Sequence, residues 1–251
     1  MPESSRIDSS FFEYNGIRSD AMGLRIESRN IYGAPKFDKE FITIPGRDGE
    51  LISSNRRFPN VQIAYTVFVP AASKQELMTK MTAIKAWLYT EPDRYHELRD
   101  TVDTEAFRKA VINTQLDVTQ EVHRIGRFTV SFSCLPFRYL NSGTQTRTFS
   151  AAMPFMNPTP FMAKPLICVH MNGRTGTLKF THGLIETDWE IANVSGAIFI
   201  DSEEMLIYAD DTLLTEHVTG DGFPVFEPGA TTVSFSGAIT SVDVTPRWVT
   251  L

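Results

Sequence analysis

The sequence has little of what marks membrane-spanning, disulfide-stabilised or nucleic-acid-binding proteins. It contains two cysteines among 251 residues, and no apolar run reaches the length of about 18 residues that a transmembrane helix needs. Acidic residues outnumber basic ones, 30 to 24, whereas phosphate contacts demand clustered lysine and arginine. The first ten residues are polar, where a signal peptide is basic and then apolar. We therefore expect a protein folded in a cytoplasm, without membrane contact or specific nucleic-acid binding.

Motifs of metal and cofactor chemistry are also missing. Cys134 and Cys168 lie in stretches of strand-like alternation, which predicts buried free thiols. No histidine has a cysteine or a second histidine three or four residues away, as metal ligands usually do. The sequence has no G-x-S-x-G nucleophile motif, no phosphate-binding glycine loop and no dinucleotide fingerprint. It predicts no metal, no cofactor and no enzymatic activity. The scattered histidines are His96, His123, His170, His182 and His217.

The chain does contain material for two folded domains. Its apolar fraction of 42% is ordinary for a globular protein, and 251 residues exceed the typical domain length of about 100 to 150. The charges are unevenly divided, because residues 1–140 carry a net +1 and the remainder −7. A polar segment without apolar periodicity separates the halves. This pattern predicts domains at residues 1–138 and 148–251, joined by a linker at 139–147.

The first half is predicted to form a β-sheet. Residues 11–16 are an aromatic strand that runs into an Asn-Gly turn, and residues 22–27 are predicted to return as the second strand of this hairpin. Apolar residues alternate strictly over 61–69, which indicates a strand with one buried face. Residues 107–119 and 127–134 are predicted to pair as a long antiparallel hairpin.

One helix is predicted over residues 73–89, packed on this sheet. Ser73 and Glu76 match a capping box, in which the serine caps the first turn and the glutamate reaches back. The next apolar residues form a single stripe at helical spacing, which gives the helix one face to bury. These residues are Leu77, Met81, Ile84 and Leu88.

The second half contains short strands separated by turns and no helical periodicity of useful length. Strands at this spacing predict a β-sandwich of roughly 110 residues. The predicted strands cover residues 164–171, 174–180, 188–192, 197–200, 205–208, 231–235 and 239–245.

A charged loop in the first half is the main candidate for an interaction site. It is flanked by glycines, follows a strand that stops at Pro45, and is predicted to be tight and exposed. A solvated turn needs no function, and a charged loop on a rigid scaffold also suits contact with a neighbouring subunit. The assembly-loop candidates are Arg47, Asp48, Gly49 and Glu50.

Two groups in the second half have chemical and structural interpretations. Asp201, Glu203 and Glu204 offer the paired carboxylates of a glycoside hydrolase, but their position between two predicted strands favours an acidic hairpin turn. Trp189 and Trp248 are candidates for stacking on sugar rings, and burial in the sandwich core is the favoured alternative.

Short motifs run in a fixed order through both halves. They are FEYNGIRSD at 12–20, Gly23-Leu24, IPGRDGEL at 44–51, Trp87-Leu88, LRD at 98–100, GRFTVSFSCLP at 126–136, NPTP at 157–160, KPLI at 164–167, IDSE at 200–203, FPVFEPG at 223–229 and TPRW at 245–248. In order and spacing they resemble the distal tail proteins (Dit) of long, non-contractile-tailed bacteriophages of Gram-positive hosts. The resemblance covers nearly the whole chain.

The resemblance implies a mainly-β fold and a structural role without catalysis. The fold would be an N-terminal sheet or split-barrel domain with one helix and a long hairpin, followed by a galectin-like β-sandwich. The protein would form a homohexameric ring in the virion's tail tip after assembly in the host cytoplasm. An alternative function is a carbohydrate-binding module on the host cell wall, although the long insertions with which some relatives bind saccharide are missing.

The resemblance also implies a set of partners. The ring would join the tail tube to the baseplate, and it would contact the tail-tube protein, the tail-associated or tail-tip hub protein and a receptor-binding or baseplate protein. Its channel would pass the tape-measure protein and the DNA. A first domain with a net charge near zero and no basic cluster is consistent with DNA passage without binding.

Overall fold

A computed structural model describes residues 10–113, 115–116, 119–121 and 124–251. The fold is mainly β, as predicted, and the chain divides into two compact units. Unit 1 comprises the residues up to Arg138 together with Leu251, and unit 2 comprises Tyr139–Thr250. His123 lies outside the described residues. Within the described part of the chain, no helix is long and apolar enough to cross a bilayer.

Unit 1 is built on one antiparallel sheet with a helix. Its strands follow one another in space as β2-β1-β7-β8-β10-β6-β3, while β9 pairs with β10, and β4 and β5 form a separate sheet. The elements are β1 Phe12–Tyr14, β2 Ile17–Arg18, β3 Arg25–Asn30, β4 Lys39–Thr43, β5 Glu50–Ser54, β6 Val61–Pro70, α1 Lys74–Leu88, β7 His96–Asp100, β8 Asp103–Ile112, β9 Thr119–Glu121 and β10 Ile125–Leu140.

The pairing of β6 with β10 forms the centre of this sheet. Ten residue pairs join the two strands, from Ile125 opposite Pro70 to Cys134 opposite Val61. The alternating apolar residues of β6 are buried, as the sequence predicts, and so are those of β10. The neighbouring position of β8 and β10 confirms the long hairpin predicted for this part of the chain. Period-2 apolar alternation thus identified the strands that carry the core of unit 1.

The helix α1 confirms the predicted capping box and apolar stripe. Ser73 is the N-cap, and its Oγ accepts a hydrogen bond of 3.1 Å from the backbone N–H of Glu76. The Glu76 carboxylate in turn accepts the N–H of Ala72 at 2.8 Å. The indole Nε1 of Trp87 donates to the backbone oxygen of Tyr14 at 3.0 Å. The buried face of the helix is Leu77, Met81, Ile84, Trp87 and Leu88.

The prediction for the first hairpin is correct for its turn and wrong for its second strand. Strand β1 pairs with β2, which directly follows the Asn15-Gly16 turn. The segment predicted to return, residues 22–27, instead leads into β3, and β3 pairs with β6. Apolar spacing reports which face of a strand is buried and carries no information about which strand lies beside it, so the pairing partner was missed.

Unit 2 is a β-sandwich whose two layers share two long strands. Nine of its strands are hydrogen-bonded into one sheet. According to the half of the long strands that each adjoins, β11, β15, β16 and β17 belong to one layer and β12, β14 and β18 to the other. Strands β13 and β19 run through both layers, because their halves pair with different neighbours. The elements are β11 Arg147–Phe149, β12 Met153–Asn157, β13 Leu166–His182, β14 Ile185–Ala192, β15 Gly196–Asp201, β16 Leu206–Ala209, β17 Thr212–Leu213, β18 Val218–Gly220, β19 Gly229–Thr245 and β20 Val249–Thr250.

The sequence predicted four strands where β13 and β19 are two. The breaks between these predicted strands fell at residues 172–173 and 236–238. In the structure they lie at an irregularity where the two strands cross from one layer to the other. A Cβ on Gly176 would lie 2.6 Å from Ile239, and one on Gly237, with φ +73°, would lie 2.8 Å from the oxygen of Thr175. Close backbone approach, rather than chain reversal, explains these glycines.

Residues 139–147, the predicted linker, contain the end of β10, a 3-10 turn at Asn141–Gly143 and the first residue of β11. Tyr139 and Gly143 are buried among them.

Candidate assembly surface

The hairpin formed by β4 and β5 differs from the rest of unit 1. Among the residues that the structure describes, the two strands pair only with each other, in five residue pairs from Lys39 opposite Ser54 to Thr43 opposite Glu50. All ten of their residues are exposed. An isolated two-stranded hairpin is marginally stable in water, so its stability calls for packing against something else.

Apolar side chains occupy both faces of this hairpin. Phe41 lies opposite Ile52 on one face, and Ile42 lies opposite Leu51 on the other. Their exposed fractions are 55%, 56%, 44% and 43%, respectively. Contiguous exposed apolar side chains on a soluble protein mark a site of interaction. The hairpin therefore offers two apolar faces and a short strand edge to another protein.

The charged candidate loop forms the tip of this hairpin. Gly46 has φ +80° and Gly49 has φ +76°, and a Cβ at either position would meet no atom within 4 Å. Glycine is therefore favoured here by backbone conformation and not by space. The N–H of Arg47 donates to the oxygen of Ile44 at 3.2 Å, and Arg47, Asp48 and Glu50 are all exposed. The prediction of a tight, exposed loop is confirmed.

The base of the hairpin is held by polar and aromatic contacts. The N–H of Asp38 donates to the oxygen of Arg57 at 3.0 Å, and the Asp38 carboxylate accepts Arg57 Nε at 2.8 Å. The side chain of Arg57 holds the pKa of Asp38 below its ordinary value. Phe58 packs between Phe37, at 4.9 Å, and Phe137, at 5.7 Å between ring centroids. Unit 1 thus fixes where the hairpin begins and leaves its apolar pairs exposed.

The acidic group of unit 2 forms a structural network. Asp201 is buried, and its carboxylate accepts hydrogen bonds from both terminal guanidinium nitrogens of Arg247, at 2.7 and 2.9 Å. It also accepts the backbone N–H groups of Glu203 and Glu204. Burial alone raises the pKa of Asp201, but these hydrogen bonds outweigh it and hold the pKa below its ordinary value. Strands β15 and β16 flank the segment, which confirms the predicted acidic hairpin turn.

The two candidate tryptophans are core residues. Trp189 and Trp248 are each 4% exposed. A Cβ on Gly220 would lie 2.2 Å from the Trp189 indole, and Phe180 packs edge-on at 5.3 Å. Trp248 packs on Phe226 at 5.2 Å. Burial was the favoured of the two interpretations, and neither ring presents a free face on which a sugar would stack.

Comparison with protein-family models and with curated proteins finds no match. Solved structures do match. The Dit protein of phage SPP1, described as a paradigm of the hub adsorption apparatus in phages that infect Gram-positive bacteria, aligns with a TM-score of 0.74 at 11% identity, over 96% of this chain and 99% of that one.

A second phage structure matches over a similar length. Chains of the phage p2 baseplate in its activated conformation align with TM-scores of 0.54 and 0.53 at 9% identity, in the strontium-bound and calcium-bound structures. They cover 93% and 94% of this chain, and 97% of the p2 chain in each case. The alignment to the SPP1 protein includes nearly every residue of both chains, so both units and their order along the chain are shared.

Proposed function

We propose that this chain, which has the fold of the phage distal tail proteins, is a structural component of a phage tail tip. The observation that carries the proposal is the near-complete overlap with the SPP1 Dit protein, 96% of one chain on 99% of the other. In this role the protein forms a homohexameric ring. The ring connects the tail tube to the baseplate and surrounds the channel for the tape-measure protein and the DNA.

The β4–β5 hairpin is the proposed contact between neighbouring subunits. A closed ring repeats one heterologous interface, in which a surface of each subunit fits a different surface of the next. Burying a whole Ile, Leu or Phe side chain contributes about 1.5 to 3 kcal/mol. The four apolar side chains of the hairpin are about half exposed, so covering them adds roughly 3 to 6 kcal/mol per contact. The charged tip at Arg47, Asp48, Gly49 and Glu50 would fix the register of this contact.

Charge and chemistry agree with a passive channel. Residues 1–140 carry a net charge of +1 and the rest −7, so a ring made by unit 1 presents no strong positive field to DNA. The carboxylate of Asp201 is held by Arg247, which leaves it unsuited to acid or base catalysis. We therefore propose a structural and not a catalytic role, in the virion, after assembly in the host cytoplasm. The proposed partners are the tail-tube, tail-tip hub, baseplate or receptor-binding, and tape-measure proteins.

The decisive experiment is the oligomeric state of the purified full chain. Light scattering after size exclusion, with negative-stain microscopy, is expected to show a six-fold ring. The double substitution Phe41→Ser with Ile52→Ser is expected to yield a folded monomer, because these exposed side chains contribute little to the isolated fold. Ile42→Ser with Leu51→Ser tests the other face in the same way.

Unit 2 offers a matched control for these variants. Leu184 and Ile185 are adjacent and highly exposed, at 102% and 69%, so Leu184→Ser with Ile185→Ser removes similar surface apolarity away from the hairpin. This control is expected to remain hexameric. A wild-type protein that stays monomeric at the highest attainable concentration contradicts a self-closing ring. A ring that survives both hairpin variants contradicts the role of the hairpin.

A further inference from the structure

Three side chains of different chemistry converge in unit 2 where β13 pairs with β15 and β19, on the outer face of that layer. Cys168 and His170 are two residues apart on β13, so they project from the same face of the strand. Asp243 lies on β19 directly opposite Cys168. The Cys168 Sγ, an imidazole nitrogen of His170 and a carboxylate oxygen of Asp243 all lie within 4.8 Å of one another.

The contacts differ from those of a nucleophilic triad. In a Cys-His-Asp triad the two ring nitrogens of the histidine serve different partners, one facing the nucleophile and the other the carboxylate. Here the same atom, Nε2 of His170, lies 2.8 Å from Asp243 Oδ2 and 3.7 Å from Cys168 Sγ. The three groups point at one common position instead of forming a relay.

We propose that Cys168, His170 and Asp243 are three ligands of a zinc ion that bridges β13 and β19. A tetrahedral zinc ion has Zn–S near 2.3 Å and Zn–N or Zn–O near 2.05 Å. These values place a sulfur and a nitrogen ligand about 3.6 Å apart, and a nitrogen and an oxygen ligand about 3.3 Å apart. The observed sulfur–nitrogen separation of 3.7 Å already fits, whereas the nitrogen–oxygen separation of 2.8 Å must widen by about half an ångström through a swing of the Asp243 carboxylate.

The surroundings define which ion fits and where a fourth ligand enters. Thiolate and imidazole ligands select zinc over the hard cations Mg²⁺ and Ca²⁺, which bind through oxygen. Cys168 is buried, whereas the side chains of His170 and Asp243 are 39% and 26% exposed. Water therefore reaches the open side of the cluster and completes the tetrahedron.

A second structural feature supports a fixed site. The hydroxyl of Thr240 donates to the backbone oxygen of His170 at 3.1 Å, which ties β19 to β13 beside the cluster.

The test is metal binding by the reduced, untagged full chain. Cobalt(II), which replaces zinc in such sites and absorbs light, is titrated first and zinc is then added in competition. We expect one ion per chain, a thiolate-to-cobalt charge-transfer band, and loss of the band on addition of zinc. His170→Ala alters a half-exposed side chain and is expected to fold normally while binding zinc at least about tenfold to a hundredfold more weakly, since even outer-shell substitutions have effects of that size.

Matched variants locate the site. Cys168→Ser is expected to abolish the charge-transfer band, whereas Cys134→Ser, at the other buried thiol, leaves it intact. His182→Ala removes a histidine of the same unit that contacts Thr231 instead, and it is expected to bind as the wild type does. The proposal is overturned if the wild type binds no stoichiometric zinc or cobalt. It is equally overturned if His170→Ala binds with wild-type affinity, or if the band depends on Cys134.

Discussion

Removing the buried carboxylate of Asp201 should destabilise unit 2 far more than removing an exposed carboxylate. The Asp201 side chain is 8% exposed and that of its partner Arg247 is 19% exposed. Asp201 accepts two hydrogen bonds from Arg247 and one each from the backbone N–H groups of Glu203 and Glu204. Asp201→Ala leaves the arginine and two backbone donors without this acceptor.

The magnitude follows from how deeply the pair is buried. Breaking a buried ion pair by removing one partner costs about 3 to 5 kcal/mol, and the partial exposure of Arg247 places this case near the lower end, about 3 kcal/mol. A domain of this size has a urea m-value of about 2 kcal/mol/M, so the midpoint should fall by about 1.5 M. Arg247 has φ +56°, and Arg247→Ala retains a Cβ, so this strain is the same in both proteins.

The assay is urea unfolding followed by tryptophan fluorescence, to which the buried Trp189 and Trp248 of unit 2 contribute together with Trp87 of unit 1. The double variant Asp201→Ala with Arg247→Ala should cost less than the two single variants summed, with a coupling of at least about 1.5 kcal/mol. The control is Glu186→Ala, which breaks the exposed pair with Lys179 at 2.9 Å and should cost under about 1 kcal/mol. Equal effects of Asp201→Ala and Glu186→Ala would refute the reasoning.

The pH dependence of this pair has a defined sign. The pKa of Asp201 is lower in the folded protein than its ordinary value. Such a group contributes stability above its unfolded pKa, about 3.9, and the contribution is lost as the pH falls through the lowered native pKa. The difference between the wild type and Asp201→Ala should therefore be constant down to about pH 5 and shrink below about pH 4. A difference that grows on acidification would contradict this.

Three further substitutions test local features of the fold. Ser73→Ala removes the helix cap and should destabilise unit 1 by about 1 kcal/mol in thermal unfolding, and an unchanged midpoint would mean that the cap is dispensable. Gly143→Ala would place a Cβ 2.2 Å from the backbone nitrogen of Trp248, and it should lower the stability of unit 2 by about 2 kcal/mol or more. Gly49→Ala meets no atom but must adopt φ +76°, which costs about 1 kcal/mol or more. Amide exchange in β5 should then accelerate about fivefold, whereas unaltered exchange would show that the turn tolerates a side chain.

The features predicted best from the sequence depend on neighbours along the chain. The helix α1 was predicted from Ser73 to its end because a cap, a reaching glutamate and a 3.6-residue stripe are local signals. Strand β6 followed from strict alternation, and the acidic turn at Asp201 from its position between two strands. The likeness to the distal tail proteins also came from the sequence, through short motifs in a fixed order, and the fold confirms it.

Pairing between distant segments was decided only in the tertiary structure. The partner of β3, the continuity of β13 and β19, and the meeting of Cys168 with Asp243 all join residues far apart in sequence. The spacing of Cys168 and His170 on a strand was a signal that helix-based ligand spacing overlooks.

The tertiary structure also decided that the β4–β5 hairpin stays outside the sheet of unit 1, with apolar residues on both faces. The sequence by itself determined the bounds of α1 and of β6 to within a residue, and that the tip of this hairpin is a tight charged turn. Apolar alternation is a property of one strand, whereas burial depends on what the rest of the chain, or another chain, places against it.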